Sequence, residues 1–237
     1  MRSSRANNDQ TNARRVCSTL LTALWIAALL IGAASTATAA PETAKGVAGS
    51  AASSEAPLPG LADVVDDLRR GGLVIYFRHA ATEQAGASDE TADLDNCQTQ
   101  RNLSAQGRAQ AAQIGQAFRT LGISVSSVTT SPFCRCKETG ELAFGRFVVS
   151  NDLYFAINAD AERTKGLAEA LRRTLATPPQ PGTNAVIVSH SANLREAVGV
   201  WPKPEGAAYV FRPLASGRFE LIARVLPDDW IGAAKRK

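Results

Sequence analysis

The sequence predicts an α/β fold, a three-layer sandwich in which a mostly parallel central sheet is flanked by helices. Three observations predict it. Short apolar runs rich in β-branched residues, at 73–77 and 185–188, read as strands buried on both faces. Segments with helical spacing alternate with them, the pattern of an α/β layer fold. The chain's two histidines also follow these runs directly, as Arg78-His79 and Ser189-His190, which sets both imidazoles just past a strand's carboxyl end. In open α/β sheets that edge is where ligands bind.

Taken in order, the chain begins with an export signal. Arg2, Arg5, Arg14 and Arg15 precede an apolar run from Leu20 to Ile31, and Ala37-Thr38-Ala39 offers a small-residue cleavage site. The run is too short for a comfortable membrane span, so no stable membrane insertion is expected after cleavage; an uncleaved anchor is the alternative. Residues 1–39 are thus expected to be a signal peptide, and the Ala-, Ser-, Gly- and Pro-rich stretch 40–58 a flexible lead-in. One folded domain, 59–237, remains.

Within it, Leu61, Val64, Val65 and Leu68 fall on one helix face, and Gly71-Gly72 separates them from the first strand. The polar stretch 83–101 reads as a long loop beside that strand's end, where long loops are usually functional. Ser104 is placed to cap a helix reaching Thr120, which Gly122 stops. A second strand over 123–130 leads through Ser131-Pro132 into a helix over 133–144 that carries Arg135 in its first turn. The free N–H groups and dipole at that end favour an anion. Residues 146–153 are predicted as a further strand and 161–176 as a helix. The break Pro178-Pro179-Gln180-Pro181-Gly182 then delivers the second histidine strand and a helix over 192–198. The segments 207–211 and 219–226 read as a hairpin closing the sheet edge.

Residues 1–39 carry four arginines and one aspartate, so without them the net charge falls from +4 to +1. The basic balance belongs to the export signal and argues for neither a nucleic-acid nor a membrane partner. Cys17 leaves with the signal. Of the three that remain, Cys134 and Cys136 are too close to pair with each other, so an oxidising compartment predicts a bridge from Cys97 to one of them. A Cys-x-Cys metal site would need a nearby histidine or a fourth cysteine, and no metal or other cofactor is expected.

If the strand ends meet, Arg78 and His79 from the first, Arg135 from the turn after the second and His190 from the third form one constellation. Two guanidiniums fork onto the oxygens of a phosphoryl group. A neutral imidazole can attack phosphorus and hold the group covalently until water removes it. Such chemistry needs positioning and charge stabilisation, which these residues supply.

Four pieces carry a family resemblance: Phe77-Arg78-His79-Ala80-Ala81-Thr82, Asn102-Leu103-Ser104-Ala105-Gln106-Gly107, Ser131-Pro132-Phe133-Cys134-Arg135 and Val188-Ser189-His190. In that order they resemble the motifs of the histidine phosphatase superfamily, the group that includes cofactor-dependent phosphoglycerate mutases and bacterial phosphohistidine phosphatases. The resemblance implies a phosphoglycerate mutase-like fold and a small phosphorylated substrate. It implies His79 as the nucleophile, with Arg78, Arg135 and His190 binding the phosphoryl oxygens. It also implies an Nδ1–H bond from His79 to a backbone carbonyl, which leaves Nε2 free to attack. Ala80 stands where the family has glycine, and Ala81 where mutase-like members often have glutamate, which argues against a phosphomutase.

Many members have a general acid between the arginine helix and the second histidine. Here that region offers Asp160 and Glu162, with Asp152 also in it and Glu83 and Glu205 outside it. Between the possible disulfides, Cys97 with Cys134 is preferred, since Cys134 adjoins Arg135 and the bridge would tie the acidic loop to the phosphate pocket. The expectation is an exported, metal-independent phosphatase; the alternative is a phosphoryl-binding or envelope interaction protein that keeps the fold without catalysis.

Overall fold

A computed structural model describes residues 57–83 and 89–235. The expected signal peptide and all but the last two residues of the lead-in lie outside them.

The first helix, α1 (Leu61–Arg70), buries Leu61, Val64 and Leu68, the i, i+3, i+7 positions of its apolar face. Strand β1 (Val74–Arg78) follows, with every residue but Arg78 buried. Helix α2 (Ala105–Leu121) begins where Ser104 accepts from the Gly107 N–H and ends at Gly122 in the left-handed conformation. Then come β2 (Val125–Thr130), α3 (Cys134–Phe144), a two-residue β3 (Val148–Val149), α4 (Ala161–Leu175), β4 (Asn184–Ser189) and α5 (Ser191–Val198). The hairpin β5 (Ala208–Leu214) and β6 (Arg218–Val225) precedes a last helix, α6 (Pro227–Lys235).

The strands form one six-stranded sheet in the order β3-β2-β4-β1-β5-β6. β3, β2, β4 and β1 are parallel; β5 runs against both β1 and β6, so it alone points the other way. The side-chain alternation of β1 divides the core. Ile75 and Phe77 pack with residues of α1, α2 and α6, including Ile114, Phe118 and Trp230. Val74 and Tyr76 pack with Leu171 and Leu175 of α4 and Leu194 of α5. Helices therefore cover both faces, which is why the central strands read as continuous apolar runs.

Two elements differ from the expectation. The strand predicted over 146–153 is reduced to Val148 and Val149, both exposed at the sheet edge. The Ser150 hydroxyl accepts from the Asp152 N–H and turns the chain into a 3₁₀ turn at Asn151–Leu153. Helix α6 is additional; it opens on Pro227 with Asp228 and Asp229 in its first turn, and it buries Trp230 completely. Among the described residues no helix is long and apolar enough to cross a membrane.

Candidate active site

The parallel register of β1 and β4 pairs Arg78 with Ser189, so the next residue on each strand is a histidine. The His79 N–H donates to the Ser189 carbonyl at 3.0 Å, and the two imidazole centroids lie 5.5 Å apart. Both side chains are buried. The bend after β1 is held by α2, whose first turn crosses it so closely that a Cβ at Gly107 would stand 1.8 Å from the Ala81 carbonyl oxygen.

His79 Nδ1 lies 2.9 Å from the Ala80 carbonyl oxygen. A carbonyl only accepts, so Nδ1 carries the hydrogen and Nε2 keeps its lone pair. Burial holds the imidazole well below its ordinary pKa, and the nearby Arg135, followed by Arg78 and Arg101, pushes in the same direction. The His79 imidazole is therefore held neutral across the ordinary pH range.

Ala80, where the family has glycine, is buried in a small cluster with Leu103 and Ala111. Its methyl thus belongs to the packing under α2.

Arg135 is fully buried at the start of α3. Its Nη2 donates to His190 Nδ1 at 3.2 Å, its Nη1 pairs with Asp89 at 2.6 Å, and its Cζ lies 4.7 Å and 5.3 Å from the Phe133 and Phe155 ring centroids. Because a guanidinium only donates, His190 accepts at Nδ1 and carries its proton on Nε2, 2.7 Å from Ser131 Oγ. Phe155 stacks on the His190 ring at 4.5 Å and Phe133 meets it edge-on at 5.2 Å. Burial in this aromatic wall, with Arg135 and His79 adding to it, holds His190 neutral as well. Tyr76 completes the support by donating its hydroxyl to the His190 carbonyl at 2.6 Å.

Arg78 extends from the end of β1, donating to the Pro202 carbonyl and pairing with Glu205 at 3.0 Å. Glu205 also accepts from the Thr82 N–H and hydroxyl and pairs with Arg101 at 3.2 Å. Arg101 bonds the Thr82 hydroxyl and lies 3.6 Å from Asp89. Three guanidiniums and two carboxylates thus surround the histidine pair. Among the described residues, the Nε of Arg78 and of Arg135 are buried without a hydrogen-bond partner. Two buried cationic donors beside two neutral imidazoles are suited to an anion.

Of the predicted residues, the fold brings together His79, His190, Arg78 and Arg135. Asp160 and Glu162 have other tasks. Asp160 is exposed and caps α4 by accepting from the Arg163 N–H at 2.8 Å, and Glu162 is exposed in the first turn of the same helix, where its charge suits the dipole. The carboxylates that do reach the cluster are Asp89 and Glu205. The sequence places Asp89 and Arg101 in the polar loop 83–101 without assigning either to the site, although Arg101 directly precedes the recognisable segment 102–107.

Cys97 and Cys134 form a disulfide with a Cα separation of 5.7 Å, which ties the 89–103 loop to the start of α3. Cys136 is free and buried, its sulfur 3.7 Å from His190 Nε2, and burial pushes its pKa up to about 12. A thiol so placed is an inert packing group. Among the described residues no cluster of His, Cys, Asp or Glu is suited to a metal ion.

Fold and site together define an α/β domain built around two buried strand-end histidines ringed by guanidiniums. Residues 74–152 match the family described as histidine phosphatase superfamily (branch 1). The match spans a third of the chain. Among solved structures the chain is similar to the protein histidine phosphatase SixA complexed with tungstate, at 18% identity and a TM-score of 0.48 over 66% of this chain and 98% of that one. It is similar to a SixA-type phosphohistidine phosphatase from Agrobacterium tumefaciens at 16% identity and a TM-score of 0.45, over 66% of this chain and 99% of that one. It is also similar to an alpha-ribazole-5′-P phosphatase from Escherichia coli at 14% identity and a TM-score of 0.48, over 66% of this chain and 98% of that one. No curated protein matches.

Proposed function

We propose that this protein is an exported, metal-independent phosphatase that hydrolyses phosphate monoesters through a phosphohistidine on His79. The carrying observation is the buried His79 imidazole, its Nδ1 tied to the Ala80 carbonyl so that Nε2 keeps its lone pair, with the guanidiniums of Arg135 and Arg78 near enough to act on its charge. In the first step the Nε2 lone pair forms the N–P bond as the ester P–O bond breaks, and the departing oxygen takes a proton from solvent water. Water then attacks phosphorus, the N–P bond breaks, and inorganic phosphate leaves with His79 regenerated. The guanidiniums stabilise charge on the equatorial oxygens in a low-dielectric wall, the task a metal ion performs in other phosphoryl-transfer sites. His190 supports this by holding Arg135 through Nδ1.

Export rests on the N-terminal sequence, with its basic start, apolar run and small-residue cleavage site. The Cys97–Cys134 disulfide agrees with an oxidising compartment.

A second reading, a phosphoryl-binding protein without turnover, is favoured by one observation. Both carboxylates at the cluster are engaged by guanidiniums, Asp89 by Arg135 and Arg101 and Glu205 by Arg78 and Arg101, so neither is an uncommitted proton donor.

Turnover of p-nitrophenyl phosphate in excess chelator, compared between wild type and His79→Ala, separates the readings. Chelator-insensitive activity that disappears in the variant is expected. Activity that survives the substitution, or that chelator removes, contradicts the mechanism; phosphate binding without turnover on a panel of esters supports the second reading.

A further inference from the structure

Asp89 reaches the histidine cluster from the loop that follows β1, and it does so with both carboxylate oxygens. Oδ1 accepts from Arg135 Nη1 at 2.6 Å, and Oδ2 lies 3.6 Å from Arg101 Nε. We propose that Asp89 is a built-in competitor of phosphate: its carboxylate holds the guanidiniums that a phosphoryl group needs, and a phosphoryl group binds Arg135 by displacing it. The inference rests on Arg135 as a phosphoryl ligand, which the phosphatase and the binding-protein readings share, and adds an autoinhibitory contact to that site.

Electrostatics make the two anions exclusive. Arg135 is fully buried, so water screens the charges around it little. A carboxylate 2.6 Å from one of its nitrogens and a phosphoryl group on the same guanidinium would repel each other at close range, as two carboxylates do that cannot both stay ionised in one site. The buried cation is costly without a counter-charge, which accounts for Asp89 being drawn in.

The two carboxylates at the cluster differ in what holds them. Glu205 accepts from the Thr82 N–H and hydroxyl besides its guanidiniums, so the main chain after His79 keeps it in place. Among the described residues, the contacts of the Asp89 carboxylate are with guanidiniums alone.

The loop also supplies a fixed point from which Asp89 can swing. The Asp93 N–H donates to Thr99 Oγ1 at 2.9 Å, and its carbonyl accepts from Gln100 Nε2 at 2.7 Å. Gln100 accepts in turn from the Cys134 N–H, and Cys97 is bonded to Cys134, so the part from Asp93 onward is fastened to α3. The 3₁₀ turn Asp89–Thr91 precedes that anchorage; the Asp89 carbonyl accepts from Asn158 Nδ2, and Ala92 packs partly buried beside Phe155 and Ala156. Displacement therefore moves a short segment and leaves Arg101 and the disulfide where they are.

The test titrates inorganic phosphate calorimetrically against the wild-type chain and Asp89→Asn at constant ionic strength, with the thermal midpoint in phosphate-free buffer as the check on folding. Removing the competing charge is expected to tighten phosphate about tenfold. Unchanged or weaker binding by the variant overturns the competition and makes Asp89 a supporting counter-ion. Hydrogen exchange of the wild type decides the matter without a variant: saturating phosphate is expected to speed exchange over residues 89–92, and unchanged or slower exchange there overturns the displacement. Either failure with phosphate bound leaves Arg135 as a phosphoryl ligand, whereas absence of phosphate binding by both proteins overturns that reading as well.

Discussion

Replacing Cys97 and Cys134 by serine removes a cross-link between positions 37 residues apart in the chain, while Cys136 stays in place. The native domain keeps its other ties at this point: the Cys134 N–H donates to Gln100 Oε1 at 2.9 Å, and Asn102 Nδ2 donates to the Cys97 carbonyl at 2.6 Å. The main effect therefore falls on the unfolded chain, which gains the freedom of an open loop. The loop-closure relation for a span of this length gives about 13 cal/mol/K, or ~3.8 kcal/mol at 25 °C. With a urea dependence of about 2 kcal/mol/M for a domain of this size, the unfolding midpoint of Cys97→Ser/Cys134→Ser should fall by about 2 M. Equilibrium urea denaturation followed by tryptophan fluorescence suits the measurement, since Trp230 is buried in the core. A loss under about 1 kcal/mol with an unchanged slope would refute the reasoning, because the open loop would then be constrained in the unfolded chain without the bond.

Two further outcomes follow from the site. His79 and His190 are both held neutral by burial in the folded protein, with pKa values well below 6.5, whereas in the unfolded chain each protonates near its ordinary value. Stability should therefore fall as pH drops below about 6.5, by up to ~1.4 kcal/mol per pH unit for each histidine; a stability slope between pH 7.5 and 5 that His79→Asn leaves unchanged would contradict this. Arg135→Lys keeps a charge but loses the fork that joins Asp89 to His190 and the planar contact with Phe133 and Phe155. It should cost about 10²–10³ in kcat/KM for p-nitrophenyl phosphate, and a loss under about threefold would remove Arg135 from the mechanism.

The strand-end histidines were readable because the strands beneath them are buried on both faces, and burial of that kind leaves an unbroken apolar run. Arg135 was readable from its place after Ser131-Pro132. Ser104 and Gly122 marked α2 because capping chemistry is local. What sequence could not supply depends on long-range placement. Asp89 and Arg101 meet Arg135 and Glu205 only after the loop folds back, and no spacing rule links positions 89, 101, 135 and 205. Asp160 lies in the expected stretch for a proton donor, yet three residues before the Arg163 N–H it has a closer use as a helix cap. The β-branched pair Val148-Val149 suggested a full strand, but the Ser150 hydroxyl competes for the next backbone and ends it. Helix α6 did carry a sign, the Pro227-Asp228-Asp229 start, and the Leu226 N–H to Asp229 bond at 2.8 Å shows how it is used.

The register between β1 and β4 reaches beyond the geometry of one active site. Because Val74 pairs with Ala185 and the match continues to Arg78 and Ser189, the interval between the two imidazoles is set by hydrogen-bonded strands in the middle of the sheet. Inserting one residue within Val74–Arg78 would turn the side chains on one side of the insertion to the opposite face and carry His79 away from its partner. Insertions in the segments after His79 or before β5 leave that interval untouched and change only the walls around it. The scaffold thus separates what holds the two histidines from what surrounds them, and grafting of those two loops is the natural route to change what the site admits.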